Sequence, residues 1–341
     1  MKFTSLRIAL MLVVLCLVPA LMAQTTGQWL VEKHTDGAQL SFQYSSDSGG
    51  DHYSSNWSNS DDPAKLGIAD VLKQQGHVTF DIVRPAGTFK CEGWMNDGKG
   101  SGHFTFSPNV QFSAELSKRG LGTPDERQSL RMAISNVGLS LVDALKGNGY
   151  TFDLDSFVRA ATHGVNEQYL SEMKSAGLKP ESLEELVRMR DHGVTADYVR
   201  ELQAAGYKGL TYGEMVRMRD HAITAEYVHE LASAGIKNLS AQEIVRMRDH
   251  GVTADYAKQL ASVGLKGLDG DSMARLRDHG VSADFAAEIK RNAYPDITGE
   301  QLVRLRDHGV SAEFVRENAK GNSVEEVIRM HDTGARKHEM I

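Results

Sequence analysis

The amino-acid sequence predicts an α+β protein in which a small N-terminal antiparallel β domain is followed by an α-solenoid of about seven 29-residue helical hairpins. Two observations support this fold class. Short segments rich in aromatic and β-branched residues fill the first third of the chain, and one motif recurs every 29 residues in the remainder. The predicted organisation is a signal peptide at residues 1–23, a β-rich domain at 24–119 and a repeat array at 120–341.

The composition is that of a folded protein. The 341 residues are 41% hydrophobic and 24% charged, and 45 acidic residues exceed 38 Lys and Arg residues, so the net charge is −7. A chain of this charge lacks the basic field that nucleic-acid binding requires. The composition also excludes collagen, a coiled coil and a membrane protein with several spans.

The first 23 residues have the pattern of a secretory signal peptide. Lys2 and Arg7 precede an apolar run over residues 8–18, and a small-residue exit ends at Ala23. The run is shorter than the ~20 residues that a spanning helix needs. We expect an exported protein, periplasmic or extracellular, that has no membrane span once cleaved after Ala23; an uncleaved anchor is the alternative. The mature chain keeps Cys91, either as a buried hydrophobe or as a link between chains.

The β domain is predicted from five short segments bounded by Gly, Asn, Asp or Pro. These lie at residues 28–33, 39–45, 77–84, 88–94 and 102–107. The Asn96-Asp97-Gly98 sequence between the last two indicates a hairpin. We predict a short helix over residues 64–75 and, because Ser, Asp, Asn and Gly are frequent there, a loop over residues 45–62.

The repeat is marked by six histidines, from His163 to His308, spaced 29 residues apart. The segment RMRDHGVT at residues 188–195 recurs almost unchanged at 217–224 and 246–253. The pattern of each unit predicts two helices. The first helix begins with a capping box, in which a Ser or Thr residue stands three positions before Glu or Gln. The N-caps of these boxes are Ser182, Thr211, Ser240, Thr298 and Ser323.

The remaining helix ends follow from the same register. Gly193 and its equivalents are expected to end the first helix in a left-handed conformation, and Thr195 and its equivalents to cap the second. Val194, Tyr198 and Leu202 are four residues apart and predict one buried stripe. Since a single helix pair cannot bury its own apolar face, the units must stack.

The array is predicted to extend upstream of His163 and to end in a shortened unit. Arg131 and Met132 match Arg188 and Met189, and Thr123-Pro124 supplies an N-cap and a first-turn proline for a leading helix. At the other end, the last unit is four residues shorter than the others.

Three partial catalytic motifs are better explained by structure. The Gly-rich segment 93–100 lacks the Ser or Thr of a phosphate loop and reads as a hairpin turn. Ser171 and Lys174 have the spacing of penicillin-recognising acyl enzymes without the other required elements. His229 opens half a zinc-peptidase motif, but Ser233 stands where the second His ligand must lie. We therefore expect no enzyme and no cofactor.

Three residue ladders run through the repeats. The histidines are candidates for metal binding or for sensing pH, and the structural alternative, which we favour, is that each caps a helix C-terminus by bonding free carbonyls. These candidates are His192, His221, His250, His279 and His308.

The Arg and Asp ladders are predicted to be structural. An Asp near a helix C-terminus needs a cationic partner, and we expect the arginines to provide it; an anion-binding Arg groove is the alternative. The residues are Arg188, Asp191, Arg217, Asp220, Arg246, Asp249, Arg275, Asp278, Arg304 and Asp307.

Two blocks of sequence resemble a bacterial family. Residues 83–94 and 98–112, followed by the VRMRDHGVT repeats, are similar to exported segments that follow the membrane metallopeptidase domain of beta-lactam-sensor-type antirepressor proteins, and to uncharacterised secreted proteins. This chain lacks the membrane helices and a complete His-Glu-x-x-His motif. The resemblance therefore implies a sensory or partner-binding context without peptidase activity.

These observations favour an exported, non-enzymatic protein-interaction or sensory scaffold that binds a protein partner. One alternative is a metal- or pH-responsive binding protein that uses the His ladder. The other is an enzyme in the β domain that uses Asp, His and Asn residues of the 47–62 segment.

Overall fold

The computed structural model describes residues 25–45, 53–60 and 62–334, with the backbone alone for residues 45 and 53–60. The predicted signal peptide lies outside these residues. The chain divides into two compact units, Met1–Leu139 and Ser140–Ile341. The sequence predicts the boundary between residues 119 and 120, twenty residues before the one in the structure. Across the described residues, no helix has both the length and the apolar character needed to cross a bilayer.

The first unit contains the predicted antiparallel sheet. Six strands are described, in the spatial order β3-β2-β1-β6-β5-β4, and every pair of neighbours is antiparallel. β1 and β6 bring two three-stranded meanders together at the centre. The strands are β1 (Thr26–His34), β2 (Gly37–Ser45), β3 (Tyr53–Ser60), β4 (Gly76–Arg84), β5 (Gly87–Asn96) and β6 (Lys99–Pro108).

One face of the sheet carries an aromatic core. Phe42 and Phe89 stack with ring centroids 4.2 Å apart, and Phe104 meets both rings edge-on. The helix α3 (Glu126–Ile134) packs against β5 and β6. Burial of each such side chain stabilises the fold by about 1.5–3 kcal/mol. The alternation of buried and exposed residues along β4 and β5 therefore sets which face turns inward.

The Gly-rich segment between β5 and β6 is a hairpin turn, as predicted. Asp97 and Gly98 both have positive φ angles, 47° and 75°, which is the geometry of a tight two-residue turn. A strand follows the turn, so no helix N-terminus is present to bind phosphate.

Two predicted elements of the first unit are wrong. The helix expected over residues 64–75 is a four-residue helix, α1 (Pro63–Leu66), followed by a 3-10 turn at Val71–Lys73, because Gly67 adopts φ 76° and ends α1. The loop expected over residues 45–62 contains β3, which pairs with β2 along its whole length. The sequence of that strand is rich in Ser and Asn, which is typical of a loop, and the strand was therefore not predicted.

The leading helix α3 begins later than predicted. After the nine-residue helix α2 (Val110–Lys118), the N-cap of α3 is Asp125, whose carboxylate accepts a hydrogen bond from the Gln128 backbone N–H at 2.7 Å. The Gln128 side chain in turn accepts from the Asp125 N–H at 2.9 Å. The predicted cap, Thr123, instead lies 3.0 Å from the Ser117 hydroxyl. An Asp-initiated capping box thus replaces the Thr-Pro start.

The second unit is a two-row stack of short helices, which confirms the predicted helical repeat. Odd-numbered helices from α5 to α17 pack on one another in one row, and even-numbered helices from α6 to α16 form the second row. The helices are α4 (Leu139–Gly147), α5 (Leu154–Thr162), α6 (Glu167–Ser175), α7 (Leu183–Asp191), α8 (Ala196–Ala204), α9 (Tyr212–Asp220), α10 (Ala225–Ser233), α11 (Ala241–Asp249), α12 (Ala254–Ser262), α13 (Gly270–Asp278), α14 (Ala283–Asn292), α15 (Gly299–Asp307), α16 (Ala312–Asn318) and α17 (Val324–Thr333).

The odd-row helices α5, α7, α11, α13 and α15 end in the turn that the glycines predict, and in α9 Ala222 takes the place of glycine with φ 53°. In the unit of α7, the Gly193 N–H bonds the Arg190 carbonyl at 3.1 Å and the Val194 N–H bonds the Met189 carbonyl at 2.9 Å. These two bonds define a Schellman motif, and Gly193 has the required φ of 67°. The turn places the next residue, Val194, fully inside the core.

The helix starts agree with the predicted caps, with one difference. The predicted hydroxyl N-caps of both rows are all present, and reciprocal capping boxes form at Thr211, Ser240, Thr298 and Ser323. At Ser182 the box is incomplete, because the Glu185 carboxylate accepts from the Glu181 N–H instead.

The repeat makes a testable prediction about deletions. Removal of residues 209–237 takes out α9 and α10 as one unit and joins equivalent positions, so we expect the helical circular dichroism per residue and the cooperative thermal transition to persist. Removal of residues 209–223 alone takes out α9 and leaves α10, so the odd row loses a helix that the even row keeps, and this mismatch should abolish the cooperativity. An equal loss of helical signal in both variants would contradict the unit assignment.

Candidate functional site

The histidine ladder joins each repeat unit to the next. The Nδ1 atom of each ladder histidine lies within hydrogen-bond distance of the carboxylate of the following unit's Asp; the separation is 2.7 Å for His192 and Asp220 and also for His250 and Asp278. The other pairs are His163–Asp191, His221–Asp249, His279–Asp307 and His308–Asp332.

This arrangement corrects two predictions. The histidines do occupy the C-cap positions of the odd-row helices, but their rings bond the neighbouring Asp rather than free carbonyls. The Asp ladder accordingly takes its partners from histidine and not from arginine. The reason is geometric: the C-cap of one helix lies beside the last residue of the next helix in the row, and an imidazole is long enough to bridge them.

The ladder ends at a threonine on each side. Thr162 occupies the position of the Asp before the first pair, and its hydroxyl donates to the Val158 carbonyl of its own helix at 3.0 Å. Thr333 occupies the position of the histidine after the last pair, and its hydroxyl donates to the Arg329 carbonyl at 2.7 Å. Both end residues are therefore satisfied within their own helices.

The His–Asp pairs provide two ligands each. Among the described residues, no group of three or more His, Cys, Asp or Glu side chains is close enough to hold a metal ion. The pairs are also partly exposed; His192 is 38% and Asp220 41% accessible. An exposed pair of this kind contributes about 0.2–1 kcal/mol, which is enough to favour one register of neighbouring helices.

The second arginine of each motif stacks on an aromatic ring of the preceding unit. The guanidinium carbon of Arg219 lies 4.9 Å from the centroid of the Tyr198 ring, and that of Arg306 lies 5.1 Å from Phe285. The same contact joins Arg190 to Tyr169, Arg248 to Tyr227 and Arg277 to Tyr256. The arginines thus act as cation–π partners between units.

The tyrosines of this ladder also tie the units together through their hydroxyl groups. Tyr198 donates to the Ile223 carbonyl at 3.0 Å, and Tyr256 donates to the Val281 carbonyl at 2.7 Å. Burial raises the pKa of both phenols to about 12. The two phenols therefore stabilise the fold fully at any pH below 10, the ordinary pKa of tyrosine. This stabilisation is lost as the pH rises through the raised pKa of about 12. The 29-residue tyrosine spacing was visible in the sequence, but we did not assign it this role.

In four units, the first arginine of the motif reaches an acid in the first turn of the next odd-row helix. The pairs described are Arg159–Glu184 (3.0 Å), Arg246–Asp271 (2.9 Å), Arg275–Glu300 (3.0 Å) and Arg304–Glu325 (2.5 Å). Arg188 and Arg217 differ, because Gly213 and Gln242 occupy the corresponding acidic positions. The arginine ladder is thus structural in most units and interrupted in two.

An apolar groove opens in the same part of the array. It has a volume of about 270 Å³ and lies where α10 and α11 meet the loop before α9. Ile244 lines it, whereas the equivalent residues of the flanking units are the longer Met215 and Met273. The other lining residues are Ala205, Gly206, Tyr207, Val228, Leu231, Ala232, Ile236, Lys237, Asn238 and Leu239.

The partial catalytic motifs do not form sites in the described residues. Ser171 and Lys174 are both exposed on α6. The Ser233 hydroxyl donates to the His229 carbonyl one turn earlier at 2.8 Å, so it belongs to the backbone bonding of α10. Cys91 is buried in the sheet core, and burial raises its thiol pKa to about 12, in agreement with the buried-hydrophobe interpretation.

The open face of the sheet carries an exposed aromatic residue. Trp94 is 66% accessible and meets the His77 ring edge-on at 5.7 Å, while His77 Nε2 lies 3.0 Å from a Glu92 carboxylate oxygen. No hydroxyl among the described residues is hydrogen-bonded to His77. The alternative of an enzyme in the β domain uses the 47–62 segment. The structure does not describe residues 46–52 and 61, nor the side chains of residues 53–60.

Comparisons with known proteins find no relative. No family model matches the chain, and no match was found among curated proteins or solved structures. The resemblance to segments of antirepressor proteins therefore stays a prediction.

The tyrosine ladder predicts the effect of a hydroxyl at Phe285. Phe285 stands in the tyrosine register, with Val310 in the place of the carbonyl acceptor. Phe285→Tyr should raise the free energy of unfolding by about 0.5–1 kcal/mol through the new hydrogen bond. Tyr256→Phe is the matched change in the opposite direction and should lower it by a similar amount. Denaturant titration measures the free energy of unfolding of both variants. If both variants changed it in the same direction, the assigned hydrogen bond would be refuted.

The histidine ladder predicts a pairwise coupling without a role for metal. In a double-mutant cycle, His250→Asn and Asp278→Asn should couple by about 0.5 kcal/mol, because each removes the same contact. His229→Asn, on the exposed face of α10, is the control and should not couple to Asp278→Asn.

A thermal melt at neutral pH, with zinc and then with a chelator, tests the metal alternative. We expect no zinc-dependent change in the melting temperature of the unmodified protein. A reproducible rise that disappears in a His221→Asn/His250→Asn variant would establish the ladder as a metal site.

Proposed function

We propose that this chain is an exported, non-enzymatic scaffold that binds a protein partner through its repeat array. The observation that carries the proposal is the apolar groove beside Ile244. Most ladder side chains bond or stack between units, and the groove is a place where the array offers apolar surface that its own units do not fill. The signal-like N-terminus supports an exported location.

The groove suits a peptide side chain better than a metabolite. Val228, Leu231 and Ile236 supply apolar walls, and Lys237 and Asn238 supply the polar rim. A drug-sized ligand site is commonly 300–1,000 Å³ and largely enclosed. A cavity of about 270 Å³ that opens along a helix joint accommodates one or two side chains of a longer partner. Binding by helical-repeat proteins commonly uses such extended surfaces.

The proposal predicts position-specific crosslinking. A photo-crosslinking residue at Lys237, on the groove rim, should capture one partner from an extract of the native compartment. The same residue at Lys266, the equivalent exposed position one unit later, is the matched control and should not. Mass spectrometry identifies the adduct, and either no adduct at Lys237 or equal adducts at both positions would disprove the proposal.

A second variant tests the groove itself. Ile244→Met copies the residue of both flanking units and should preserve the fold, which circular dichroism checks. The longer side chain should fill part of the groove and reduce the yield of the Lys237 adduct. An unchanged yield would place the partner elsewhere.

A further inference from the structure

The interruption of the arginine ladder is local and has a simple sequence cause. Four units pair the first arginine of the motif with an acid of the next odd-row helix. In the two consecutive units between them, Arg188 faces the position of Gly213 and Arg217 faces the position of Gln242. Both arginines are exposed, and no ion pair is described for either one within residues 62–334.

The acids closest in sequence to these arginines have other partners. Of the acids near Arg188, Glu184 is bound by Arg159 at 3.0 Å. Glu185 accepts a hydrogen bond from the Glu181 N–H at 2.9 Å, and Asp191 lies 2.7 Å from His163 Nδ1. Glu214, within a turn of Arg217, accepts from the Thr211 N–H and hydroxyl, both at 2.8 Å, and this capping lowers its pKa. Two neighbouring guanidinium groups therefore face solvent with their hydrogen-bond donors available.

We propose that the partner of the scaffold carries an acidic segment whose carboxylates bind Arg188 and Arg217. This inference rests on the proposed function and specifies the chemistry of the partner. The carboxylates take the places that glutamates fill in the other units, and an apolar residue of the same partner enters the groove beside Ile244. Arginine suits this role because its planar fork binds carboxylates in two-bond geometry.

The dimensions favour a peptide. Helices of one row lie about 8–10 Å apart, and three residues of an extended peptide span about 10 Å. Two acidic residues in such a segment therefore reach both arginines. A polyanion such as nucleic acid is disfavoured because the whole chain has a net charge of −7.

The central experiment restores the missing acids. The double variant Gly213→Glu/Gln242→Glu gives Arg188 and Arg217 internal partners of the kind present elsewhere. A Cβ atom at position 213 would meet no other atom within 4 Å, so the fold should be retained. The control, Gln259→Glu/Ser262→Glu, adds the same charge on the exposed face of α12.

The probe is a labelled synthetic peptide of repeating Glu-Leu-Ser, which places glutamates three residues apart. It is compared with a Gln-Leu-Ser peptide by fluorescence anisotropy at low and high salt. Two exposed ion pairs should together make the Glu peptide roughly two- to thirtyfold tighter at low salt. The restored-acid variant and Arg188→Gln/Arg217→Gln should lose this preference, and the control should keep it. Circular dichroism establishes that all variants are folded.

Several outcomes would overturn the inference: equal affinity for the two peptides, a preference retained by the restored-acid variant, or the same arginine-dependent preference for a single-stranded DNA oligomer. The Lys237 crosslink separates the two proposals. If the adduct forms in both the unmodified protein and the restored-acid variant, the scaffold function stands and the acidic partner is wrong. If no adduct forms in either, the scaffold function fails.

Discussion

The array depends on the apolar residue that follows each left-handed turn. Val194 is fully buried, its N–H closes the turn by bonding Met189, and its carbonyl accepts the Tyr169 hydroxyl of the preceding unit at 3.0 Å. One backbone unit thus ends a helix, anchors the core and joins two repeats. The tyrosine hydroxyl thus satisfies the carbonyl that the turn presents, a bond worth about 0.5–1.5 kcal/mol, and at Phe285 the stack forms without that hydroxyl.

Apolar burial stabilises the stack, and the charged ladders determine the register in which neighbouring helices align. Burial of a Val or Leu side chain contributes about 1.5–3 kcal/mol, whereas an exposed pair such as His192 and Asp220 contributes about 0.2–1 kcal/mol. The polar contacts nevertheless discriminate between alignments, because a slip of one residue breaks every pair at once. The stack is free to lose two acids, at Gly213 and Gln242, without losing its architecture.

The sequence was most informative where local rules decide the structure. The turn at Gly193, the caps at Thr195 and Ser240, and the buried stripe through Tyr198 follow from helix-end chemistry and periodicity, and all are confirmed. The partners of the ladders depend on which helices become neighbours. Arg and Asp are close in the sequence, and this proximity suggested a pairing, but the two-row stack places Asp beside the preceding histidine.

The candidate site was harder to predict for the same reason. Ile244 lines the groove where the flanking units have methionines, and a sequence pattern does not show whether such a difference leaves space in a packed joint. In the sheet, β3 escaped prediction because its pairing with β2 compensates for a polar composition. Tertiary contacts override local propensity in both cases.

The threonines at the two ends of the histidine ladder limit how copies of the protein can associate. The ladder contacts run from one unit to the next in one direction, and repeated head-to-tail contacts of this kind do not close on themselves. Such contacts lead to open filaments. Because Thr162 presents no carboxylate and Thr333 no imidazole, a second copy finds neither half of the ladder bond. Within the described residues, the ladder is thus confined to the six pairs that lie between Thr162 and Thr333.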